Sequence, residues 1–458
     1  MKKKSALAVA CAALAAVLAA QESDVTIKIT KNERAALAVP DLRGSSDAQQ
    51  YMDAFNQTVW NDLDTAGIFR MVPKSLYWLQ TPQQPQDFRP APPPRPSSLS
   101  STVRPNGQGL WLSDWSGPPA SANWLAFGYT GAEAGQIVLR GWLYNTGRDL
   151  TNAQVFGKTY LAPLGADGAR KIAHEFATDI LTQFGAVSLT GTKIYFVSER
   201  ARGIKEIWSM DPDGSNQKQL TFYKSISMTP AVSPDGTRLA FSSFARGNPA
   251  IFLHSVETGR RLPFYNEVSP LTATPEFTPD GKQLLFASSV TGWAQIYVSN
   301  VDGSGMRRVT YSRSIDMEPK VNPKTGAEIV FISDRSGMPQ IYRMNMEGAD
   351  VQRLTTGEGE AVNPAWHPDG QHIAFAWTRG FAPGNYNIFV MDVATRSFVQ
   401  LTHGAGRNEN PSWAPDGRHM VFSSNRSGST QIWTMLADGT QLQQLTTQGR
   451  NTQPVWGK

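Results

Sequence analysis

The chain has 458 residues and a formal net charge of +5, with 43 Lys and Arg against 38 Asp and Glu. This length predicts more than one domain or one large repeat architecture, and 39 Gly and 30 Pro indicate a fold with many turns. The 13 Trp, 12 Tyr and 21 Phe exclude an intrinsically disordered chain, and the near balance of charges gives little support to nucleic-acid binding.

The first 20 residues have the pattern of a secretory signal peptide. Three lysines follow Met1, an apolar run covers residues 6–20, and polar residues begin at Gln21. This order predicts a charged n-region, a short h-region and cleavage after Ala20. The apolar run is short for a membrane span, and an uncleaved N-terminal anchor is the alternative. We therefore expect an exported protein with no transmembrane segment in its mature chain.

Cleavage would remove three lysines and no acidic residue, which lowers the formal net charge from +5 to +2. The single cysteine, Cys11, lies in the same segment. The mature chain is therefore expected to have no disulfide, no thiolate metal site and no cysteine nucleophile.

Residues 21–186 precede the repeats and differ from them in pattern. In the extension 21–34, Val25, Ile27 and Ile29 alternate with polar residues as in a β-strand. Residues 35–186 predict a small α/β domain, with strands expected at 35–39, 68–72, 124–129, 136–144 and 153–161. Within it, residues 80–106 are rich in Pro, Gln and Ser and predict an exposed, poorly ordered insertion.

Two helices of this domain are predicted from apolar residues at helical spacing. A capping box of Ser46 with Gln49 is expected to open the first helix. The two apolar stripes are Met52, Phe55, Val59 and Leu63 in the first helix, and Ile172, Phe176, Ile180 and Phe184 in the second.

Residues 187–458 contain a repeat of 44 to 47 residues. Its marker is a phenylalanine followed about ten residues later by an Ile-aromatic pair, as at Phe241 and Ile251-Phe252. A Pro-Asp-Gly turn stands before most of these phenylalanines, because Pro presets the turn and Gly supplies the positive φ that follows. The six phenylalanines are Phe196, Phe241, Phe286, Phe331, Phe375 and Phe422.

Each repeat holds about four short strands, which is typical of one propeller blade. A four-stranded sheet alone cannot bury both of its faces, whereas sheets stacked around an axis can. We therefore predict a mainly β fold, a six-bladed β-propeller behind the α/β domain. The segment 451–457 resembles the innermost strand at 408–414, and the first repeat lacks such a strand. The C-terminal strand is thus expected to complete blade 1 and close the ring.

The sequence lacks a G-x-S-x-G elbow, a P-loop and an H-E-x-x-H motif, so no catalytic residue is predicted. His367 and His372 flank the turn at Asp369-Gly370, and we interpret them as surface residues rather than metal ligands. The recurrence of an arginine after the phenylalanine strand, at Arg335 and Arg426 among others, indicates a structural role such as pairing between blades.

The residues around the start of each innermost strand vary from blade to blade and are predicted to ring one mouth of the central channel. Loops on a rigid scaffold commonly carry binding, so we assign a partner-binding role to them; solvated turn residues are the alternative. The candidates are Met228, Thr272, Thr274, Asp316, Met317, Glu318, Asn363, Asn408, Asn410 and Thr452.

The mature chain resembles the TolB family, the periplasmic component of the Tol-Pal system. The likeness rests on blade sequences such as PAVSPDGTRLAFSS, PEFTPDGKQLLFASS and PSWAPDGRHMVFSSNRSGSTQIWTM, six in number, with a terminal QPVW strand. It rests also on the preceding α/β domain and on the mature start ESDVTIKITKNERAALAVPDL. The blade motif occurs in propellers of many functions, so it is the order of the parts that makes the likeness specific.

The resemblance implies a periplasmic, non-enzymatic scaffold without a cofactor that serves outer-membrane constriction at cell division and envelope integrity. It implies that the propeller mouth receives the peptidoglycan-associated lipoprotein Pal. It also implies that the N-terminal extension engages TolA, with room for other inner-membrane Tol proteins. On this chain the TolA contact would fall on residues 22–29, with Glu22, Val25, Ile27 and Ile29 as candidates. A monomer that binds no nucleic acid is expected.

A second function class stays open at the level of sequence. Some propellers bind or cleave a sugar or peptide through His and Arg residues at the channel mouth. Turnover of such a ligand that is lost on changing His367 or Arg379 would favour an enzyme. The departures from the family pattern are the Pro-rich insertion and Leu271-Thr272, where a more polar loop with a His is expected.

Overall fold

The computed structural model of the chain describes residues 34–89 and 111–457. They form two compact units, which divide between Thr190 and Gly191. The predicted signal peptide and most of the extension 21–34 lie outside the described residues. Among the helices that are described, none combines the length and the hydropathy needed to cross a membrane.

The first unit is an α/β domain built on one mixed sheet. Its strands are β1 (Ala35–Ala38), β2 (Arg43–Gly44), β3 (Phe69–Met71), β4 (Trp124–Glu133), β5 (Gln136–Asn145) and β6 (Gln154–Pro163). Its helices are α1 (Met52–Thr65), α2 (Leu112–Ser116) and α3 (Ala166–Gln183). Short 3₁₀ helices cover Ser46–Tyr51, Lys74–Leu76, Pro85–Asp87 and Leu150–Asn152.

The sheet order is β3-β1-β4-β5-β6, with β2 beside β4. Strand β1 runs parallel to β3 and β4, and β4, β5 and β6 form an antiparallel meander. Since side chains alternate between the faces of a strand, Leu37 packs under α1 and α3, whereas Ala36 and Ala38 face the opposite layer. Both apolar helix stripes predicted from the sequence lie against the sheet.

Two local predictions for this unit are wrong. Ser46 makes no capping bond, because it lies inside a 3₁₀ helix that precedes α1, and Gln49 instead accepts a hydrogen bond from the Gly44 N–H at 2.9 Å. The insertion is not exposed throughout, since Phe88 is buried, stacks on Tyr144 and meets Phe127 edge to face. Residues 90–110 lie outside the described part of the chain.

The second unit is a β-propeller, as predicted. Its strands are β7 (Lys193–Ala201), β8 (Ile204–Met210), β9 (Lys218–Gln219), β10 (Ser227–Val232), β11 (Arg238–Ser243), β12 (Ala250–Ser255), β13 (Arg261–Leu262), β14 (Thr272–Phe277), β15 (Gln283–Ser288), β16 (Gln295–Asn300), β17 (Arg307–Arg308), β18 (Asp316–Val321), β19 (Glu328–Ser333), β20 (Gln340–Asn345), β21 (Gln352–Arg353), β22 (Ala361–Trp366), β23 (His372–Trp377), β24 (Asn387–Asp392), β25 (Phe398–Gln400), β26 (Asn408–Trp413), β27 (His419–Ser427), β28 (Ser429–Leu436), β29 (Gln443–Gln444) and β30 (Arg450–Gly457).

These strands form six antiparallel sheets of four strands each. Blades 2 to 6 are consecutive sets, from β10-β11-β12-β13 to β26-β27-β28-β29. Blade 1 has the order β30-β7-β8-β9, so the last strand of the chain is its innermost strand and pairs antiparallel with β7. The prediction that the C-terminal strand closes the ring is therefore confirmed.

The propeller core lies between adjacent blades. One apolar cluster, for example, joins Val330 and Ile341 of blade 4 to Phe375 and Trp377 of blade 5. The repeated phenylalanine of each second strand stands opposite the aromatic residue of the third, as in the pair Phe375 and Phe389. Burying one such ring contributes roughly 1.5–3 kcal/mol, and this explains why the phenylalanine recurs in every blade.

Candidate functional site

The two faces of the propeller carry different connections. Because neighbouring strands run in opposite directions, the loops that lead into the innermost strands lie on the same face as the loops between second and third strands. We call this the loop face, and the opposite one, with the Pro-Asp-Gly turns, the turn face. Backbone hydrogen bonds join the two kinds of loop, since the Asp316 N–H donates to Ala294 O at 2.9 Å and the Asp334 N–H to Ile315 O at 3.3 Å.

A proline shared by the six innermost strands gives the frame for comparing the blades. These prolines are Pro230, Pro275, Pro319, Pro364, Pro411 and Pro454. The three residues before each proline descend from the loop face into the channel, and they contain all ten predicted mouth residues.

The residues three places before the proline are buried inside their own blades. Thr272 is 5% exposed, and Asp316 and Asn408 are fully buried. Thr272 faces Ser288 across β14 and β15, with 3.4 Å between the two hydroxyl oxygens. The prediction that these three residues line the mouth is wrong, because their side chains are buried within the blades.

The recurring arginines pair within a blade, so the predicted pairing between blades is wrong. The Arg335 guanidinium donates to both carboxylate oxygens of Asp316, at 3.0 and 3.1 Å. In the same place in blade 6, Arg426 donates to the amide oxygen of Asn408 at 2.7 Å. Arg200 has a different contact, with its guanidinium carbon 3.6 Å from the ring centroid of Trp208.

Four of the six residues two places before the proline line the channel mouth. Met228 and Thr452, two of the predicted residues, are among them, whereas Met317 is half-buried and its place at the mouth stays a prediction. Met228 and Thr452 border a cavity of about 330 Å³ at this end of the channel. The same cavity is bordered by Lys205, Val362, Tyr386, Arg407 and Glu409, which the sequence analysis did not assign.

Charged groups on one side of this mouth are paired with one another. The Arg407 guanidinium donates to Glu409 Oε1 at 2.7 Å, and this carboxylate raises the pKa of Arg407. The Tyr386 hydroxyl donates to Glu360, and burial together with that carboxylate raises the pKa of Tyr386. The mouth is therefore polar on the side of blades 5 and 6.

The residues immediately before the shared proline form a belt around the channel, which we call the channel belt. All six have positive φ, between 50° and 54°, at a bulge where the register of the innermost strand shifts. Its members are Thr229, Thr274, Glu318, Asn363, Asn410 and Gln453. A left-handed conformation costs a residue with a side chain roughly 1–2 kcal/mol, so contacts made by these side chains must offset the strain.

Those contacts join each blade to the next. The Thr229 N–H donates to Gln453 Oε1 at 2.9 Å. The Asn410 N–H donates to Asn363 Oδ1 at 3.3 Å, and Asn363 Nδ2 donates to the Glu318 carboxylate at 3.1 and 3.2 Å.

The remaining links close the belt. The Glu318 N–H donates to Thr274 Oγ1 at 3.3 Å, and the Thr274 N–H donates to Ser242 Oγ at 3.2 Å, which lies 2.7 Å from Thr229 Oγ1. Between blades 6 and 1, the Ser423 hydroxyl accepts a hydrogen bond from the Gln453 N–H at 3.1 Å and donates one to Asn410 Oδ1 at 3.3 Å. Hydrogen bonds thus run through all six blades.

The belt places four predicted residues one layer deeper than expected. Thr274, Glu318, Asn363 and Asn410 lie inside the channel, and all but Thr274 also border the mouth cavity. Glu318 is enclosed by blades on all sides of the narrow channel, and this desolvation raises its pKa. Their contact with a partner stays a prediction.

Beyond the belt, the channel widens into a cavity of about 260 Å³ toward the turn face. Lys320 donates to Glu276 at 2.7 Å there, and burial raises the pKa of Glu276 although the Lys320 ammonium opposes the shift. Trp366, Trp413 and Trp456 border the same space but are almost wholly buried.

One group of described residues has the composition of a metal site. His367, Asp369 and His372 lie together at the Pro-Asp-Gly turn of blade 5, on the turn face. The prediction that both histidines are surface residues is wrong for His367, which is only 9% exposed.

The predicted N-terminal site cannot be placed. Glu22, Val25, Ile27 and Ile29 lie outside the described residues, and their role stays a prediction. Thr229 and Gln453 were missed in the channel, although a sequence signal existed, since a residue-Pro pair recurs in every innermost strand.

Comparison with known proteins gives a consistent result. The family model PD40, described as the TolB beta propeller domain, matches residues 181–376 and 357–458. The "Protein TolB homolog" of Chlorobaculum tepidum is 32% identical over 249 residues, which are 54% of this chain and 50% of that relative. The "Tol-Pal system protein TolB" of Bordetella pertussis is 41% identical over 155 residues, 34% of this chain and 35% of the relative.

A solved structure extends the likeness of fold to both units. The crystal structure of TolB from Acinetobacter baumannii superposes with a TM-score of 0.74 at 23% identity, covering 93% of this chain and 97% of that one. The sequence alignments with curated relatives span about a third to a half of the relatives' lengths.

Proposed function

Because the chain belongs to the TolB β-propeller family, we propose that it is a periplasmic scaffold of the Tol-Pal system that binds proteins and catalyses no reaction. Relatives that carry the name of this system support the assignment. In this proposal the loop face of the propeller holds the outer-membrane lipoprotein Pal, and the N-terminal extension engages TolA and, through it, other inner-membrane Tol proteins. The link supports outer-membrane invagination at division and envelope integrity.

The observation that carries the proposal is a set of exposed apolar side chains on the loop face, which we call the apolar crescent. Their exposure ranges from 37% for Phe244 to 97% for Val268. Exposed apolar groups in such number mark an interaction surface on a folded protein. The crescent consists of Phe222, Phe244, Tyr265, Val268, Trp293, Tyr311, Ile315 and Met338.

The crescent covers only one side of the ring. Phe222 and Tyr311 directly follow the Thr that ends blades 1 and 3, whereas Thr356, His403 and Thr447 occupy this position after blades 4, 5 and 6. Equivalent positions have the same structural surroundings, so the aromatic residues are not needed for folding of the loop. This asymmetry supports a contact that is centred on blades 2 to 4, beside the mouth.

The charge of the crescent indicates the chemistry of the partner. Lys224, Arg246 and Arg313 are exposed among its aromatic residues, and none has a carboxylate within 4.0 Å in the described parts of the chain. Glu267 is the exposed acid in the same loops. A folded partner domain with apolar residues inside an acidic rim would complement this surface.

The experiment compares two matched double variants for binding to the periplasmic domain of Pal from the same cell. Trp293→Ser with Tyr311→Ser removes two aromatic side chains of the crescent. Val351→Ser with Leu442→Ser removes two exposed apolar side chains from hairpins on the turn face. Because aromatic anchors commonly carry much of the free energy of binding, the crescent variant should bind about 10- to 100-fold more weakly.

The turn-face variant serves as the control for general effects on folding, and its affinity should stay within about twofold of the wild type. Equal affinities for the two variants would refute a docking site on the loop face. If either variant bound anionic lipid vesicles and did not bind Pal, the proposed protein partner would be wrong and a membrane surface would take its place.

The TolA contact is proposed from the family resemblance of residues 22–29 alone. The alternating pattern of residues 25–29 predicts a strand, and an unpaired strand can add to the edge of a partner's sheet through its backbone groups. Deleting residues 21–31 should abolish capture of the TolA C-terminal domain and leave Pal binding intact. Unchanged TolA capture by the deletion variant would remove the extension from the proposal.

A further inference from the structure

The turn of blade 5 brings two imidazoles onto one carboxylate. His367 Nδ1 lies 3.0 Å from Asp369 Oδ1, and His372 Nδ1 lies 2.7 Å from Asp369 Oδ2. One nitrogen or oxygen from each of the three residues falls within 4.8 Å of the others. The group lies on the turn face, remote in the fold from the apolar crescent, and plays no part in the proposed docking of Pal.

One histidine is held by a hydrogen bond through its other nitrogen, and the second faces a carboxylate there. The Nε2–H of His367 donates to Gly417 O at 2.8 Å, and this bond leaves the lone pair on Nδ1. His372 Nε2 lies 3.8 Å from the Asp392 carboxylate. Metal-binding histidines typically have such a carbonyl or carboxylate on the far nitrogen, which fixes the ring and the tautomer.

Comparison with the same turn in other blades shows which of the three side chains the turn requires in order to form. In blade 6 the same turn pairs Asp416 with His419 at 2.6 Å, but Ala414 stands in the place of His367. In blade 2 that place holds Ser233, which donates to Asp235 at 2.5 Å. The turn therefore forms with Ala or Ser at this position, and a buried imidazole there is not a requirement of the fold.

We infer that His367, Asp369 and His372 form a binding site for a divalent transition-metal ion of the zinc class. The ligands are the two Nδ1 atoms and one carboxylate oxygen, with water in the fourth position. Two imidazoles and a carboxylate suit Zn²⁺, with bonds of about 2.0–2.2 Å that place tetrahedral ligands roughly 3.3 Å apart. At present His367 Nδ1 lies 3.0 Å from Asp369 Oδ1 and His372 Nδ1 lies 2.7 Å from Asp369 Oδ2. The carboxylate thus stands between the two imidazoles, and the three side chains must move apart to this spacing to admit an ion.

Metal binding requires two local exchanges of contacts, one of which replaces the 2.7 Å contact between His372 Nδ1 and Asp369 Oδ2. The Asp369 N–H now donates to His367 Nδ1 at 3.1 Å, and a bound ion would take over that lone pair. His367 also ties blade 5 to blade 6 through Gly417, where a Cβ atom would lie 2.7 Å from His367 Nε2. An ion at this site would therefore stiffen the seam between the two blades on the turn face.

The test uses the untagged mature protein, metal-free buffer, and Zn²⁺ and Co²⁺ as the two probes. Calorimetric titration with Zn²⁺ should reveal one saturable site, and Co²⁺ should give the visible absorption of a tetrahedral complex. His367→Ala and His372→Ala should each weaken Zn²⁺ binding at least about tenfold. His419→Ala is the matched control, because it removes a histidine from the equivalent turn that has only two of the three groups.

Ala414 already occupies the position of His367 in blade 6, so His367→Ala is expected to fold. Its thermal unfolding without metal should remain close to that of the wild type, and Zn²⁺ should raise the melting temperature of the wild type only. Absence of saturable binding up to about 100 µM Zn²⁺ would overturn the inference. A site with a dissociation constant above that concentration would add little to the stability of the folded protein. Binding that is lost equally in His419→Ala would overturn it as well.

Discussion

Glu318 is the carboxylate among the amides and hydroxyls of the channel belt, and burial raises its pKa above the ordinary value of 4.5. The other five positions hold neutral side chains, and those of Thr274, Asn363 and Gln453 each accept a hydrogen bond from the next blade. A charge is therefore not needed for the belt to close. The negative charge of Glu318 lowers the stability of the folded chain. This loss depends on pH, in the direction that the raised pKa gives.

The variant Glu318→Gln tests this cost. The folded chain holds the Glu318 proton more tightly than the unfolded chain, so the wild type loses stability as pH rises from the unfolded pKa through the folded one. Gln keeps the oxygen that accepts from Asn363 and has no charge. Between about pH 4 and about pH 8, the variant should gain stability relative to the wild type in chemical denaturation. A difference that is constant over this range would contradict the account.

A second prediction compares two arginines that occupy equivalent positions. Arg335→Ala leaves the carboxylate of Asp316 buried without its ion pair, which should cost about 3–5 kcal/mol in the free energy of unfolding. Arg426→Ala leaves only the neutral amide of Asn408 with one bond fewer, which should cost about 1–2 kcal/mol. Urea denaturation of the two variants measures the difference, and equal losses would show that the charge of Asp316 does not matter.

At the scale of elements, β30 is the strand on which closure of the ring depends. It pairs with β7 over residues 450–457, and the Trp456 indole N–H donates to Thr192 Oγ1 at 2.9 Å. Without it, β7 would expose the edge of its backbone and blade 1 would lose its innermost strand.

Ending the chain at Gly449 should therefore abolish cooperative unfolding of the propeller in thermal denaturation. A synthetic peptide of residues 450–458, added in excess, should restore it by pairing with β7, whereas a peptide with Val455→Asp and Trp456→Asp should not. A truncated chain that unfolds like the wild type would show that the ring closes through other contacts.

How far the sequence predicts these elements depends on what each pattern reports. The spacing of phenylalanines such as Phe286 reports burial between sheets, so the number of blades and their closure were predictable. A residue before proline is expected to be extended, whereas Thr274 is left-handed at a bulge, so the channel belt was not predictable from the sequence. Asp316, predicted at the mouth, is instead the first residue of β18 and is buried in its blade.

The hydrogen-bond partners of the channel-belt residues could not be predicted from the sequence either. Bonds of the channel belt join residues 44 to 224 positions apart, such as Glu318 with Thr274 and Thr229 with Gln453. They exist only once six strands surround one axis. Of the predicted residues, Met228 and Thr452 do border the cavity at the mouth, since loops that lead into the innermost strands must lie at one end of the channel. Their contact with a partner stays a prediction.

At the scale of the molecule, the propeller has near-sixfold symmetry in its backbone but not in its surface. The channel belt and the inter-blade core repeat around the ring, whereas the apolar crescent is confined to the loops of blades 1 to 4. The channel belt and the inter-blade core repeat because every blade needs them to fold. The apolar crescent does not repeat, so we attribute it to binding. The surface that departs from the repeat is therefore where we expect the partner.

The measurement that tests this most directly is photo-crosslinking in intact cells. A photoreactive residue would be placed at Tyr311 on the loop face and, as a matched control, at Leu442 on the turn face, both of which are exposed. The account predicts that Tyr311 crosslinks to an outer-membrane lipoprotein with a peptidoglycan-binding domain and that Leu442 does not. Recovery of that lipoprotein from Leu442, or of no protein from Tyr311, would contradict it.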